Sequence, residues 1–277
     1  MTHNSSTALA TRLAALFGEL PQVVAVALGG SSAAGATDVA SDIDLYVYLR
    51  DALPLSAREA LVAQAGGASR ANMDLNYWGG GDVWFDAATG IEIDAIYFGA
   101  TWMEEQVRRV LVEHMPSLGY TTAFWHTVRV SRPLYDPEGW FAALQVTAAV
   151  PYPEPLRQAI VAHNRPILRD IIPSWRNQIA TAVGRGDLVS VNHRLAMLLA
   201  CYFDILFAVN RVPHPGGKRL LTLATALCPS LPTNMAADVT ACLTAAGAAP
   251  GELLGHLARL LDRLDEWLDG ERFDEGD

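Results

Sequence analysis

Residues 28–49 read LGGSSAAGATDVASDIDLYVYL. A Gly-Gly-Ser turn, Gly29 to Ser31, is followed about ten residues later by Asp42 and Asp44, two apart in an otherwise apolar segment. Upstream, QVVAVALGG reads as a buried strand stopped by glycines. DIDLYVYL is rich in β-formers and reads as a second strand. Residues i and i+2 of a strand share a face, about 6.6 Å apart. Asp42 and Asp44 are therefore expected to project together, with Ile43 and Leu45 turned into the core. Two carboxylates at that separation repel by roughly 2.5 kcal/mol at an effective dielectric of about 20. Water or a cation relieves the repulsion. Mg²⁺ is the natural cation, being hard, oxygen-seeking and content to share its shell with phosphates.

The glycines supply the complementary half. Gly29 and Gly30 let the backbone approach a ligand closely. SSAAGA can open a short helix, which puts Ser31 where free N–H groups and a hydroxyl meet an anion. An anion cradle beside a metal-binding pair is what phosphoryl-group chemistry requires, because its catalysis is mostly positioning and charge neutralisation. A third carboxylate is needed for a second metal or for the nucleophile's proton. GIEIDAIYF offers Glu92 and Asp94 on one face of a further strand. Asp94 is the better candidate, since an apolar run follows it as one follows Asp44; Glu92 is the reserve.

The bulk numbers bound the possibilities. The 277 residues allow two domains, and 51% hydrophobic content allows a sizeable core. Thirty acidic residues face twenty basic ones, for a net charge of −10. That sign argues against long DNA or RNA as a partner, though not against a single nucleotide. No apolar run reaches membrane-spanning length, so no membrane partner is expected. The nearest run, LAMLLACYFDILFAV, carries Asp204 and reads as a buried helix. The N-terminal MTHNSSTALATRLAALF has no basic leader region and no clear cleavage site, so a cytoplasmic protein is expected. Cys201, Cys228 and Cys242 have no metal-knuckle or redox spacing and read as small core residues.

Along the chain, strand and helix signals mix up to about residue 100, and helical patterns follow almost to the C-terminus. The fold class is therefore α+β: a small mixed sheet flanked by helices over 1–115, then an all-α bundle over 116–277. VPYPEPLRQ, with three prolines between Pro151 and Pro155, is the best linker. The last helices are expected over roughly 233–247 and 250–269.

The turn, the spacer, the Asp-hydrophobic-Asp pair and the later acidic strand together resemble the signature of the nucleotidyltransferase superfamily related to DNA polymerase β, over about residues 22–98. That superfamily includes antibiotic nucleotidyltransferases. WHTVRVSRPLYDPEGW and HRLAMLLACYFDILFAVNRVPHPGGKRLL resemble bacterial nucleotidyltransferase-like proteins with a helical C-terminal domain of unknown function. The resemblance implies that Gly30 and Ser31 contact a triphosphate, and that Asp42, Asp44 and Asp94 form the catalytic and metal-binding triad for two Mg²⁺ ions. It implies transfer of a nucleoside monophosphate from ATP or another NTP to an acceptor hydroxyl. The acceptor would be a small molecule, an aminoglycoside-like cation among the candidates. It allows a homodimer. In related enzymes a lysine of the helical domain reaches the triphosphate; Lys218 matches that role, with Arg219 or Arg211 assisting. A nucleotide-binding regulator or toxin–antitoxin component of the same fold, with little turnover, is the alternative.

Other charged and aromatic positions have two readings. Asp204 is expected to pair with Arg211 or Lys218, as a structural bridge or a substrate contact. His193 reads as a buried histidine satisfied by a neighbour. FWHTVRVSRPLYDPEGW reads as a junction loop held by aromatics, and NYWGGGDVWFD as a hairpin turn, or else an acceptor rim carrying Tyr77, Trp78 and Trp84.

Overall fold

The computed structural model describes residues 3–29, 42–77 and 79–271. β1 (Val23–Leu28) is VVAVAL, and all six positions are buried, as in a strand covered on both faces. β2 (Ile43–Leu49) alternates buried and half-buried positions before becoming fully buried. β3 (Ala68–Leu75) and β4 (Gly80–Asp86) pair antiparallel as a hairpin. β5 (Glu92–Gly99) and β6 (Arg132–Tyr135) complete a six-stranded sheet in the order β3-β4-β5-β2-β1-β6. β2 and β5 run parallel, and the other neighbouring pairs are antiparallel.

α1 (His3–Gly18) packs across β1, β2 and β6, and α2 (Leu55–Gln64) packs on β3. Leu9, Leu13 and Phe17 recur at helical spacing and join Leu28, Leu45 and Val47 in one buried cluster. The opposite face carries an aromatic layer. Tyr48 of β2 is fully buried and stacks on Phe141 of α5 (Trp140–Ala148), with ring centroids 5.0 Å apart. Phe98 of β5 lies parallel to Trp102 of α3 (Ala100–Leu111), 5.7 Å away, and edge-on to Phe124 of α4 (Ala123–Val130) at 6.0 Å. α4 and β6 together cover most of the stretch read from sequence as a junction loop, and Trp125 of α4 is buried, donating its indole N–H to the Ala148 carbonyl at 2.7 Å.

The chain divides into two compact units: residues 1–108 with 124–150, and residues 109–123 with 151–277. The second is helical: α6 (Glu154–Arg169), α7 (Trp175–Gly184), α8 (Leu188–Val209), α9 (Leu220–Leu227), α10 (Met235–Ala248) and α11 (Pro250–Glu271). α8 touches α6, α7, α9 and α10, and its C-terminal half is buried on all sides. It is long and apolar enough to cross a membrane by length and composition, but 67% of its most apolar stretch is buried inside the protein. Asp187 caps it, accepting from the Ser190 amide at 3.0 Å. Ion pairs tie α11 to its neighbours: Arg165 to Asp265 at 2.7 Å from α6, and Arg263 to Asp238 of α10 at 2.5 Å.

Residues 109–123 form a strap laid on this helical unit. Asn164 of α6 accepts from the Gly119 amide at 3.2 Å and donates to the Ser117 carbonyl at 3.0 Å. Gly119 has φ +79°, and a Cβ there would lie 2.9 Å from Ala200 Cβ and 3.0 Å from its carbonyl carbon. Gly119→Ala adds a clash with backbone to left-handed strain. It should cost about 2–4 kcal/mol in urea unfolding; a loss below about 1 kcal/mol would contradict this packing.

Candidate functional site

The site follows from the β2–β5 register. Ile43 is level with Ile93, Asp44 with Asp94, and Leu45 with Ala95. Ile43, Leu45, Ile93 and Ala95 are at most 1% exposed and pack under α1 and α2. Asp44 and Asp94 therefore project together from the other face, on strands about 4.8 Å apart. Both are half-buried, as is Glu92, which opens β5 two residues earlier on the same face. Asp42, immediately before β2, is exposed. The pairing foreseen between Asp94 and Asp44 is thus present at the level of strand register.

β1 brings Gly29, where the glycine turn begins, to the same place. The Gly29 amide donates to the Asp44 carbonyl at 2.9 Å. The ring of Tyr46 lies over Gly29: a Cβ on Gly29 would stand 2.1 Å from Tyr46 Cε2. Only glycine fits between that ring and the strand end, a constraint no local sequence pattern carries. Gly30, Ser31 and the short helix expected at SSAAGA lie outside the described residues. Among the described residues, no three His, Cys, Asp or Glu side chains are grouped so that they could hold a metal ion. The donors that the register brings level are two carboxylates, Asp44 and Asp94. A pair of hard oxygen donors fits Mg²⁺, which is usually held by one or two carboxylates and takes its remaining ligands from phosphates and water.

One acidic cluster was not foreseen. Asp82 of β4 is level with Ala95, one residue off Asp94, so it points to the helix-covered face and is fully buried. It accepts from Arg58 Nη1 at 2.6 Å, the Tyr97 hydroxyl at 2.6 Å and the Asp74 amide at 2.7 Å. Arg58 also donates to Asp74 at 2.8 Å. Asp74 sits at φ +61° where the β3–β4 register shifts, so this knot fixes the irregular end of the hairpin. Trp84, read as a candidate rim residue, is instead 1% exposed in the core; Tyr77 is 79% exposed, and Trp78 lies outside the described residues.

In the helical unit, Lys218 and Arg219 are exposed in the turn before α9, with Arg219 at φ +57°. Arg211 pairs with Glu154 at 3.1 Å. His214, 0% exposed, donates its amide to Thr122 Oγ1 at 2.7 Å and accepts from the Gly216 amide through Nδ1 at 3.1 Å. Two expectations are corrected. His193 is exposed, because it lies on the outer side of α8. Asp204 pairs with neither Arg211 nor Lys218: it accepts from the Thr121 amide at 3.0 Å, from the Thr121 hydroxyl at 2.6 Å and from Asn164 Nδ2 at 3.4 Å. Neutral donors from the strap and from α6 take the place foreseen for a cation.

No family model matches the chain, and no curated protein matches it in sequence. Among solved structures it is similar to a nucleotidyltransferase-like protein from Exiguobacterium sibiricum 255-15. The TM-score is 0.43 and the identity 11%, over 95% of this chain and 74% of that one.

Asp204 gives the helical unit a pH dependence. Burial pushes its carboxyl up to about 7, against the opposing pull of the Thr121 hydrogen bonds. The unfolded chain ionises this group near pH 4, the folded chain only near 7. Its contribution to stability is therefore full below about pH 4, falls as pH rises to about 7, and is flat above. Ion-paired carboxylates elsewhere act with the opposite sign, so the difference between wild type and Asp204→Asn is the informative quantity. Relative to the variant, wild type should lose about 4 kcal/mol between pH 4 and pH 8 in urea unfolding. A pH-independent difference would refute the assignment.

Proposed function

We propose that this protein is a metal-dependent nucleotidyltransferase, moving a nucleoside monophosphate from an NTP, ATP in the first instance, to an acceptor hydroxyl with release of pyrophosphate. The observation that carries the reading is the lateral register of Asp44 and Asp94 on one sheet face, tied through the Asp44 carbonyl to Gly29 at the start of the glycine turn. Two like charges on adjacent strands repel by about 3 kcal/mol at an effective dielectric near 20, which favours a divalent cation beside them. Asp44 and Asp94 would hold Mg²⁺, which would supply charge neutralisation of the phosphates and acidify the attacking hydroxyl.

The remaining work belongs to the chain. Gly30 and Ser31 are assigned to the triphosphate by their place in the turn. The acceptor oxygen forms a bond to the α-phosphorus as the bond from that phosphorus to the α–β bridging oxygen breaks. Pyrophosphate leaves with the electron pair, and the acceptor's proton passes to Asp94. Glu92, one pleat pair further out on the same strand, is assigned no proton transfer.

The test is pyrophosphate release from Mg·ATP over a panel of hydroxyl acceptors that includes cationic aminocyclitols. Asp44→Asn and Asp94→Asn should each lower the rate at least 100-fold with the fold retained by circular dichroism, whereas Glu92→Gln should stay within about threefold. Unchanged release in both aspartate variants would remove the reading. Mg·ATP binding without release across the panel would point instead to a nucleotide-binding regulator.

A further inference from the structure

The sheet face that carries Asp44 and Asp94 continues into a shelf. One pleat pair further along β2 and β5, Tyr46 is level with Ile96. Their neighbours in the same row have little or no side chain: Ala27 on the β1 side and Gly81 on the β4 side. Ala27 is fully buried, while Tyr46, Ile96 and Gly81 are half-buried, so the exposed part of this row is a largely apolar floor over β2, β5 and β4. One row further on, the floor meets a wall. Tyr46 packs on Phe98 at 5.7 Å between ring centroids, and Phe98 lies against Trp102 and Phe124, which are 39% and 37% exposed. Trp102 and Phe124 meet edge to face at 4.8 Å. The result is a ledge whose rows run from the carboxylates at one end to indole and phenyl rings at the other.

Its position relative to the glycine turn decides what it holds. The chain leaves the sheet at Gly29, level with Asp44, and re-enters at Asp42. Gly29 and Asp42, the described residues that flank the intervening segment, are therefore at or before the Asp44–Asp94 row along β2, and the Tyr46–Ile96 row lies on its other side. In phosphoryl transfer the entering and leaving oxygens stand roughly in line, on opposite sides of the phosphorus. With the leaving pyrophosphate at the glycine turn, the entering oxygen comes from the shelf side. On that basis, and resting on the nucleotidyl-transfer reading above, we infer that the shelf formed by Tyr46, Ile96, Trp102 and Phe124 is the acceptor subsite. The acceptor carries its reacting hydroxyl beside a flat, largely apolar ring face, either an aromatic ring or the C–H face of a sugar. Aromatic side chains bind both faces by the same area burial and ring contact. The carboxylates at the near end place the hydroxyl, and the ring wall orients it.

The experiment uses the full chain and three small probes without nucleotide: 2-phenylethanol (aromatic ring and hydroxyl), methyl β-glucopyranoside (sugar face and hydroxyls) and glycerol (hydroxyls with no ring). Saturation-transfer NMR should give at least one ring probe a signal about fivefold or more above glycerol, and which probe responds identifies the kind of ring. Ile96→Asn and, as a variant less exposed to folding failure, Trp102→Ala should each reduce that signal at least fivefold. Mg·ATP affinity, measured separately by calorimetry, should change less than twofold in both. Ring probes no better than glycerol, or signals unchanged in both variants, would overturn the subsite. Loss of Mg·ATP affinity in step with the ring probe would overturn it as well, by giving the shelf to the nucleotide. A wild-type chain that binds no Mg·ATP yet holds a ring probe would overturn the transfer reading and the acceptor role with it, leaving the ring site standing.

Discussion

Parallel pairing in register makes two strands repeat each other's faces, and β2 and β5 share a pattern that this pairing turns into a site. Ile43-Asp44-Leu45 lies level with Ile93-Asp94-Ala95. The apolar residues of both strands must reach the helices, and all four are at most 1% exposed. A slip of one residue would bury both aspartates and expose the apolar residues, so the hydrophobic burial that fixes the register also fixes the carboxylates side by side on the open face. The two carboxylates are thus held level with each other by core packing on the opposite side of the same strands. The Gly29 amide, bonded to the Asp44 carbonyl, ties the start of the turn to that pair through backbone alone.

The neighbouring strand shows how much the face decides. Asp82 and Asp94 sit on adjacent strands but one residue out of step, and their surroundings are opposite. Asp82 enters the core and is buried there with a guanidinium, a phenol and a backbone amide as donors. A buried carboxylate without such partners would cost several kcal/mol, so Arg58 and Tyr97 are structural requirements of Asp82. Their yield is local order at the β3–β4 hairpin, where Asp74 adopts a left-handed backbone. Asp204 in the helical unit is a third regime, a buried carboxylate satisfied by neutral donors only, and its proton affinity rises accordingly.

The elements legible in the sequence are those whose residues carry their own period. β1 and β2 show it as β-branched and apolar runs, α1 as Leu9, Leu13 and Phe17, and the last two helices as long apolar stripes whose observed ends, Met235–Ala248 and Pro250–Glu271, differ from expectation by one or two residues. Asp44 on β2 and the candidate acid on β5 were legible because each sits in an alternating strand pattern with its apolar neighbours on the other face; Asp42, expected to share the face of Asp44, stands just before β2 and is exposed. What was not legible is set by distant partners. β6 is four residues with a proline, and exists because β1 offers it an edge. Asp204 finds Thr121 across 83 residues of chain. Reading His193 as buried extends the all-apolar character of the C-terminal half of α8 to its start, where Asn192, His193 and Arg194 lie off the buried Val191–Leu195–Leu198 stripe. Asp82 looks like a hairpin residue until the register shows which face it takes.

The shelf beyond the carboxylates belongs with the illegible features, and the reason bears on what it does. Tyr46 and Ile96 are ordinary strand residues, Ala27 and Gly81 are unremarkable fillers, and Trp102 and Phe124 lie on two separate helices. Only the row-by-row alignment of β4, β5, β2 and β1 turns them into one surface. Tyr46 belongs to both halves of that surface. Its ring forbids a side chain at Gly29 and so shapes the start of the glycine turn, while its other contact, with Phe98, starts the aromatic wall. A change at this one residue alters the packing on Gly29 at the strand end and the contact with the aromatic wall together. Those two places are thus linked through one side chain of the sheet, and the rows that carry them are spaced by strand geometry.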